Sequence, residues 1–152
     1  MSQARDVPDI RIEREVMIHA HPATIFRYFS DPERFGAWFG AGSSMETRPG
    51  GEIDVHYPDG RKAVGEVLEV AENERIVFTW GWIDHPVLPP GSSTVEVQLV
   101  PDAHGTLVRL THSGLPSDEI AIHARGWEHY VPRLGEVAAG LDPGPDRGPP
   151  PT

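Results

Sequence analysis

The stretch THSGLPSDEIAIHARGWEHYVPRL, residues 111–134, opens like a strand, breaks at Gly114 and Pro116, and continues with apolar residues three and four apart. Its second half reads as an amphipathic helix. Ser117 is placed to cap it, and Asp118 and Glu119 fall in the first turn, where carboxylates favour the positive end of the helix dipole. At 100° per residue, Ile120, His123, Val131, Leu134, Ala138 and Leu141 all fall within about 40° of Trp127, forming one apolar stripe. Tyr130 borders that stripe. Arg125, Glu128, His129, Arg133 and Glu136 fall on the flanks or back, so His123 is expected inside and His129 in water. Pro132 also lies on the back, where its missing hydrogen bond bends a helix around whatever lies beneath. Gly126 costs a helix about 1 kcal/mol relative to Ala and suits a close approach to a neighbouring element. Such a helix needs a sheet to grip.

Upstream, the period changes from helical to alternating. In DIRIEREVMIH (9–19), Ile10, Ile12, Val16 and Ile18 share one side, with Arg14 the exception, as in a half-buried strand. Pro22 suits the first position of a short helix carrying Ile25, Phe26 and Phe29, and Asp31 followed by Pro32 starts a second. Strand-like runs follow near 43–47, 51–57 and 61–70, the last two joined by a turn in which Asp59 and Gly60 supply positive φ angles. In 75–83, Ile76, Phe78, Trp80 and Trp82 share a face. The hairpin 93–100 and 105–112 sets Val95, Val97 and Leu99 opposite Val108, Leu110 and His112. The count is seven strands, two short helices and one long terminal helix. An antiparallel sheet with one apolar face must curl around that helix, an α+β two-layer fold.

Composition narrows the function. With 152 residues the chain forms one domain, burying about 70% of the surface that its unfolded form exposes. The absence of cysteine excludes disulfides, thiol nucleophiles and zinc–thiolate sites. A net charge of −10 without a Lys/Arg cluster argues against nucleic acid or anionic lipid as partner. No run approaches the ~18 apolar residues of a membrane span and the N-terminus lacks the apolar run of a signal peptide, so membrane insertion is not expected and a cytoplasmic location is. Residues 1–8 read as a flexible start, 9–141 as the domain, and 142–152 (DPGPDRGPPPT) as a disordered tail too rich in Pro and Gly for helix or sheet.

The motifs HAHPATIFRYFSDPERFGAWF, RPGGEIDV, GEVLEVAENERIVFTWGW and the 111–134 stretch together resemble a known family. Over about residues 9–141 the chain is similar to the helix-grip fold of the START and birch-pollen-allergen superfamily, within the branch named for the activator of the heat-shock-protein-90 ATPase. The resemblance implies a curved antiparallel sheet of about seven strands around a long C-terminal helix. It also implies an internal apolar cavity between them, which across the superfamily binds lipids, sterols, polyketides or other hydrophobic molecules. The eukaryotic co-chaperones of this name carry an additional N-terminal domain with no counterpart in this sequence.

Large aromatics gather where helix and sheet should meet, and rings of that size leave gaps that suit a ligand. The expected wall is Trp38, Phe39, Phe78, Trp80, Trp82 and Val97, with His112, His123, Trp127, Tyr130, Val131 and Leu134 closing it. The same rings equally serve as core packing. An imidazole on an apolar face either finds a partner or offers a nitrogen to a ligand, which makes His112 and His123 the sharpest candidates. Periodicity does not orient Glu66 or Glu69. His19 and His21 lack a third ligand nearby, so neither a metal nor a cofactor is expected. The GAGSS run (40–44) lacks the spacing of a phosphate loop and suits a gate beside Trp38 and Phe39, with Pro86–Pro90 as a second rim. The leading expectation is non-enzymatic binding of a small hydrophobic or aromatic molecule, by a monomer or homodimer. The alternatives are a cavity enzyme using His or Glu for acid–base catalysis, and a stress-related regulator with a chaperone partner.

Overall fold

The structure is a computed structural model that describes residues 11–40 and 42–149. Ile10, Ala41 and the two extreme ends therefore lie outside the described residues. The elements are β1 (Arg11–Ile18), α1 (Pro22–Ser30), α2 (Pro32–Gly36), β2 (Ser44–Met45), β3 (Glu52–His56), β4 (Lys62–Ala71), β5 (Arg75–Trp82), β6 (Ser93–Asp102), β7 (Gly105–Ser113) and α3 (Ser117–Ala138). All seven strands form one antiparallel, curved sheet in the order β1-β7-β6-β5-β4-β3-β2. α3 crosses it over β1, where a Cβ on Gly135 would lie 3.5 Å from Val16 and 3.9 Å from Ile18.

Alternation explains the register. Val95, Val97 and Leu99 pair with His112, Leu110 and Val108 across β6 and β7, so each inward residue meets an inward partner. Arg14, the exception in β1, reaches sideways to Glu128 on α3 at 2.6 Å. In β4 a bulge between Val67 and Glu69 inserts an extra residue, and it leaves Glu66, Leu68 and Glu69 all exposed. That settles the two glutamates: they face water, with Glu69 paired to Arg75 at 3.2 Å.

Several local expectations need correction. In the β3–β4 turn only Gly60 has a positive φ (92°). Pro58 occupies the second position of that turn and holds φ negative, which suits a type I turn closed by one left-handed glycine. The N-cap of α3 is Pro116 and makes no side-chain capping bond, so Ser117 is the first helical residue rather than the cap. Pro132, by contrast, lies exposed on the solvent side of α3, as its place on the back of the helix predicts, and the helix runs on through it. Leu141, assigned to the stripe, is 62% exposed because α3 has already ended. Pro86–Pro90 form no rim: this loop folds back so that Trp82 N–H bonds Leu88 O at 2.8 Å, and Leu88 is buried. The approach is close enough that a Cβ on Gly81 would sit 1.9 Å from Pro89 O. Ser43 accepts His56 N–H at 3.0 Å, tying the 42–44 segment down onto β3.

α1 and α2 close the other side of the core. Trp38 donates its indole N–H to Tyr28 O at 2.9 Å, and Tyr28 donates its hydroxyl to Val137 O at 3.1 Å, so both short helices are pinned to each other and to α3. Phe29, Phe35, Trp38 and Phe39 are essentially fully buried, each worth roughly 1.5–3 kcal/mol in removed apolar surface.

Candidate functional site

β5 points Trp80 and Trp82 inward, α3 lowers Trp127 and Tyr130 toward them, and the segment after α2 inserts Phe39 between. Phe39 stacks on Trp80 at 5.8 Å and meets Tyr130 at 4.6 Å. The rings enclose a small cleft of about 60 Å³. Tyr57, Arg61, Ile122, Gly126 and Pro149 complete its lining. Of the residues expected in the wall, Phe39, Trp80, Trp82, His123, Trp127 and Tyr130 border this cleft. Trp38, Phe78, Val97, His112, Val131 and Leu134 do not; they lie behind it in the core.

Both inward histidines are fully engaged. Trp127 Nε1–H donates to His112 Nδ1 at 3.0 Å. An indole can only donate, so that nitrogen carries no proton, and Nε2–H faces Ser93 Oγ at 2.9 Å, whose hydroxyl donates to Trp80 O at 2.9 Å. His123 shows the opposite tautomer. Trp82 Nε1–H donates to its Nε2 at 3.1 Å, and its Nδ1–H donates to Glu119 O at 2.9 Å. The two rings stand 5.4 Å apart. Burial pushes the His112 pKa down to about 3, with His123 adding to the effect, and burial likewise lowers that of His123. They are neutral connectors between helix and sheet.

Trp80 differs from the other tryptophans. Its indole N–H is buried and meets no acceptor among the described residues. Trp38, Trp82 and Trp127 all donate. An unmade hydrogen bond at a buried donor costs roughly 1–3 kcal/mol, and Trp80 also borders the cleft. The Tyr57 hydroxyl also has no hydrogen-bond partner among the described residues, and burial raises its pKa far above the ordinary value, so it is a neutral donor. Tyr57 continues the inward parity of Ile53 and Val55, a signal present in the sequence. At the mouth, the Arg61 guanidinium lies 4.7 Å over the Trp82 ring and bonds Asp59 at 2.7 Å.

Gly126 borders the cleft rather than a neighbouring element, since a Cβ there would meet nothing within 4 Å. The backbone approach expected of it does not occur. His129 is expected in water and Arg133 on the flank or back of α3, and both contact residues 142–149. Asp146, its side chain fully covered, accepts from Tyr130 Oη at 2.6 Å and pairs with His129 Nε2 at 2.9 Å. Burial alone would raise the Asp146 pKa, but hydrogen bonds from Tyr130, His129 and Gly148 N–H hold it below its ordinary value. Arg133 donates to Trp38 O at 3.1 Å and Gly144 O at 2.9 Å and is 8% exposed. Residues 142–149, expected to be a disordered tail, adopt no helix or strand and run across α3 to the cleft.

A larger depression, about 700 Å³, lies over β1, β7 and β6, but it is an open trough of charges that neutralise one another, as Arg109 does with Glu15 at 2.6 Å. Among the described residues no group of three His, Asp or Glu is placed to hold a metal ion, and no helix is long and apolar enough to cross a membrane.

A curved antiparallel sheet closed on one long helix, with aromatic rings at their junction, defines a helix-grip domain. Residues 19–139 match the family model described as activator of Hsp90 ATPase homolog 1-like protein, and the chain belongs to that family. An AHSA1-like protein of Rhizobium etli is 45% identical, with 90% of this chain and 86% of that one covered and a TM-score of 0.71. A protein of Mesorhizobium loti shares the fold at a TM-score of 0.77 and 22% identity, covering 88% and 99%. DynU16, from the dynemicin biosynthetic locus, is 26% identical at a TM-score of 0.74, with 89% of this chain and 49% of that one covered. No curated protein matches the chain.

Proposed function

We propose that the protein binds a small aromatic or hydrophobic molecule carrying a hydrogen-bond acceptor, in the cleft between β5 and α3, without transforming it. The observation that carries this is the unpaired, buried indole N–H of Trp80 in an otherwise aromatic wall. Tyr57 Oη–H and the Arg61 guanidinium add donors on the mouth side, so the recognised group is an acceptor such as a carbonyl, phenolate or sulfonate. Binding is favoured over turnover because both ring nitrogens of His112 and of His123 are already hydrogen-bonded, leaving neither free to move a proton. The place of DynU16 in a biosynthetic locus supports a role with small molecules.

The test is a fluorescence titration with 1-anilinonaphthalene-8-sulfonate, an aromatic probe bearing an anionic acceptor. Wild type should bind it saturably, and Gly126→Leu, which projects a side chain into the cleft while leaving the core untouched, should abolish binding in a still-folded protein. Saturable binding that survives Gly126→Leu would move the site elsewhere.

A further inference from the structure

We infer that residues 142–149 are a built-in occupant of the cleft mouth, and that this strap must lift before a ligand can enter. The inference rests on the binding reading above. Drug-sized ligands occupy pockets of roughly 300–1,000 Å³, whereas the cleft measures about 60 Å³. One face of that cleft is Pro149 itself. In the wall made by β5 and α3, Trp82 and Trp127 are each tied by their indoles to a histidine. Phe39, Tyr57 and Arg61 also lie outside helix and strand, but Phe39 is 1% exposed among the core rings and Tyr57 N–H bonds Arg61 O across the β3–β4 turn. Among the described residues, the strap's hydrogen bonds to the rest of the domain all run to α3 side chains.

Its attachment is specific. The covered Asp146 carboxylate takes Tyr130 Oη–H and His129 Nε2 at the α3 surface, and also accepts its own Gly148 N–H at 2.8 Å, which folds the strap back on itself. One turn further along α3, Arg133 holds Gly144 O at 2.9 Å and Pro143 O at 3.4 Å. The latch is thus two side-chain anchors, with prolines at 143, 145 and 149 limiting the conformations lost on docking. Tyr130 serves both states, bonding the strap with its hydroxyl while its ring lines the cleft.

The experiment compares the full-length wild type with full-length Asp146→Ala and Arg133→Gln. Backbone NMR relaxation of Gly144 and Gly148 reads docking of the strap, and titration with 1-anilinonaphthalene-8-sulfonate reads access. In wild type both glycine amides should be as rigid as α3, and in Asp146→Ala they should loosen. Probe affinity should then rise roughly tenfold or more, since a site open only part of the time binds with an affinity reduced by that fraction. Arg133→Gln should shift both readouts in the same direction, and a peptide of residues 142–152 added to Asp146→Ala should displace the probe. Equal probe affinity in all three proteins, or wild-type strap amides that relax like free chain, overturns the inference. Failure of every form to bind the probe sinks the binding reading itself, and rigid strap amides in that case reduce the strap to a structural clasp.

Discussion

The indole of Trp127, on α3, donates its proton to Nδ1 of His112, on β7, across 3.0 Å in a fully buried setting. A second bond of the same kind joins Trp82 on β5 to His123 on α3 at 3.1 Å, with helix and sheet exchanging the donor and acceptor roles. Apolar packing alone would let α3 slide along the sheet, and these two directional bonds fix its register. The histidines therefore act as clamps, and in the proposed binding the recognition role falls to Trp80, whose N–H is left over.

Replacing His112 with Phe should be costly although the ring is similar in size and apolar. Trp127 N–H loses its acceptor and the Ser93 hydroxyl a neighbour, at roughly 1–3 kcal/mol for each group left unsatisfied. Urea denaturation should show a lower midpoint with an unchanged slope. A folded His112→Phe with wild-type stability would remove the clamp assignment.

Trp82→Phe and Trp80→Phe delete the same atoms from neighbouring inward positions of one strand but should differ in effect. The first orphans His123 Nε2, whereas the second removes a donor that had no partner. Trp82→Phe should be the more destabilising by about 1–3 kcal/mol in thermal or urea unfolding. In probe titrations the order should reverse, with Trp80→Phe losing the larger share of affinity.

Stability should fall as the protein is acidified from neutral pH. The His112 pKa is pushed down to about 3, chiefly by burial, while an unfolded histidine takes up its proton near 6.5. Above about pH 6.5 neither state binds that proton and the group has no effect on stability. Between there and about pH 3 the unfolded state binds more protons, so unfolding becomes easier by up to roughly 1.4 kcal/mol per pH unit for this one group. His123, also lowered, acts in the same direction. The loss of urea stability between about pH 7 and about pH 4.5 should be smaller in His112→Gln than in wild type, since the exposed carboxylates are common to both.

Gly126→Ala should stabilise the protein by about 1 kcal/mol, because a helix-interior glycine gains that much and the added methyl meets nothing within 4 Å. A rise of a few degrees in melting temperature checks it. A fall would mean that the backbone at Gly126 packs more tightly than the cleft geometry shows.

The period-2 runs and the 3.6-period stripe carried most of the fold, because Val95, Val97, Leu99 and their partners reach the core only in one register. The bulge at Val67/Glu69 was illegible: an inserted residue looks like any other, yet it reverses parity and sends Glu66 and Glu69 to the same water. His112 and His123 could be placed inward by periodicity, but their indole partners come from other elements, which no single-segment pattern reports. The cover over His129 and Arg133 went unforeseen for a related reason. A helical wheel sees only its own helix, and what covers that back face is a strap whose composition promised no structure. Tyr57 was the readable omission, lying one inward step beyond Val55.

The most direct test is a proton–nitrogen NMR spectrum of the four tryptophan indoles during titration with 1-anilinonaphthalene-8-sulfonate. Before addition, the Trp80 indole proton should resonate upfield of the hydrogen-bonded indoles of Trp38, Trp82 and Trp127. On saturation it should move downfield the most as it gains an acceptor, while Trp38, behind the cleft, stays in place. A Trp80 signal that does not respond while the probe binds, or one that shifts no more than Trp38, would contradict the account.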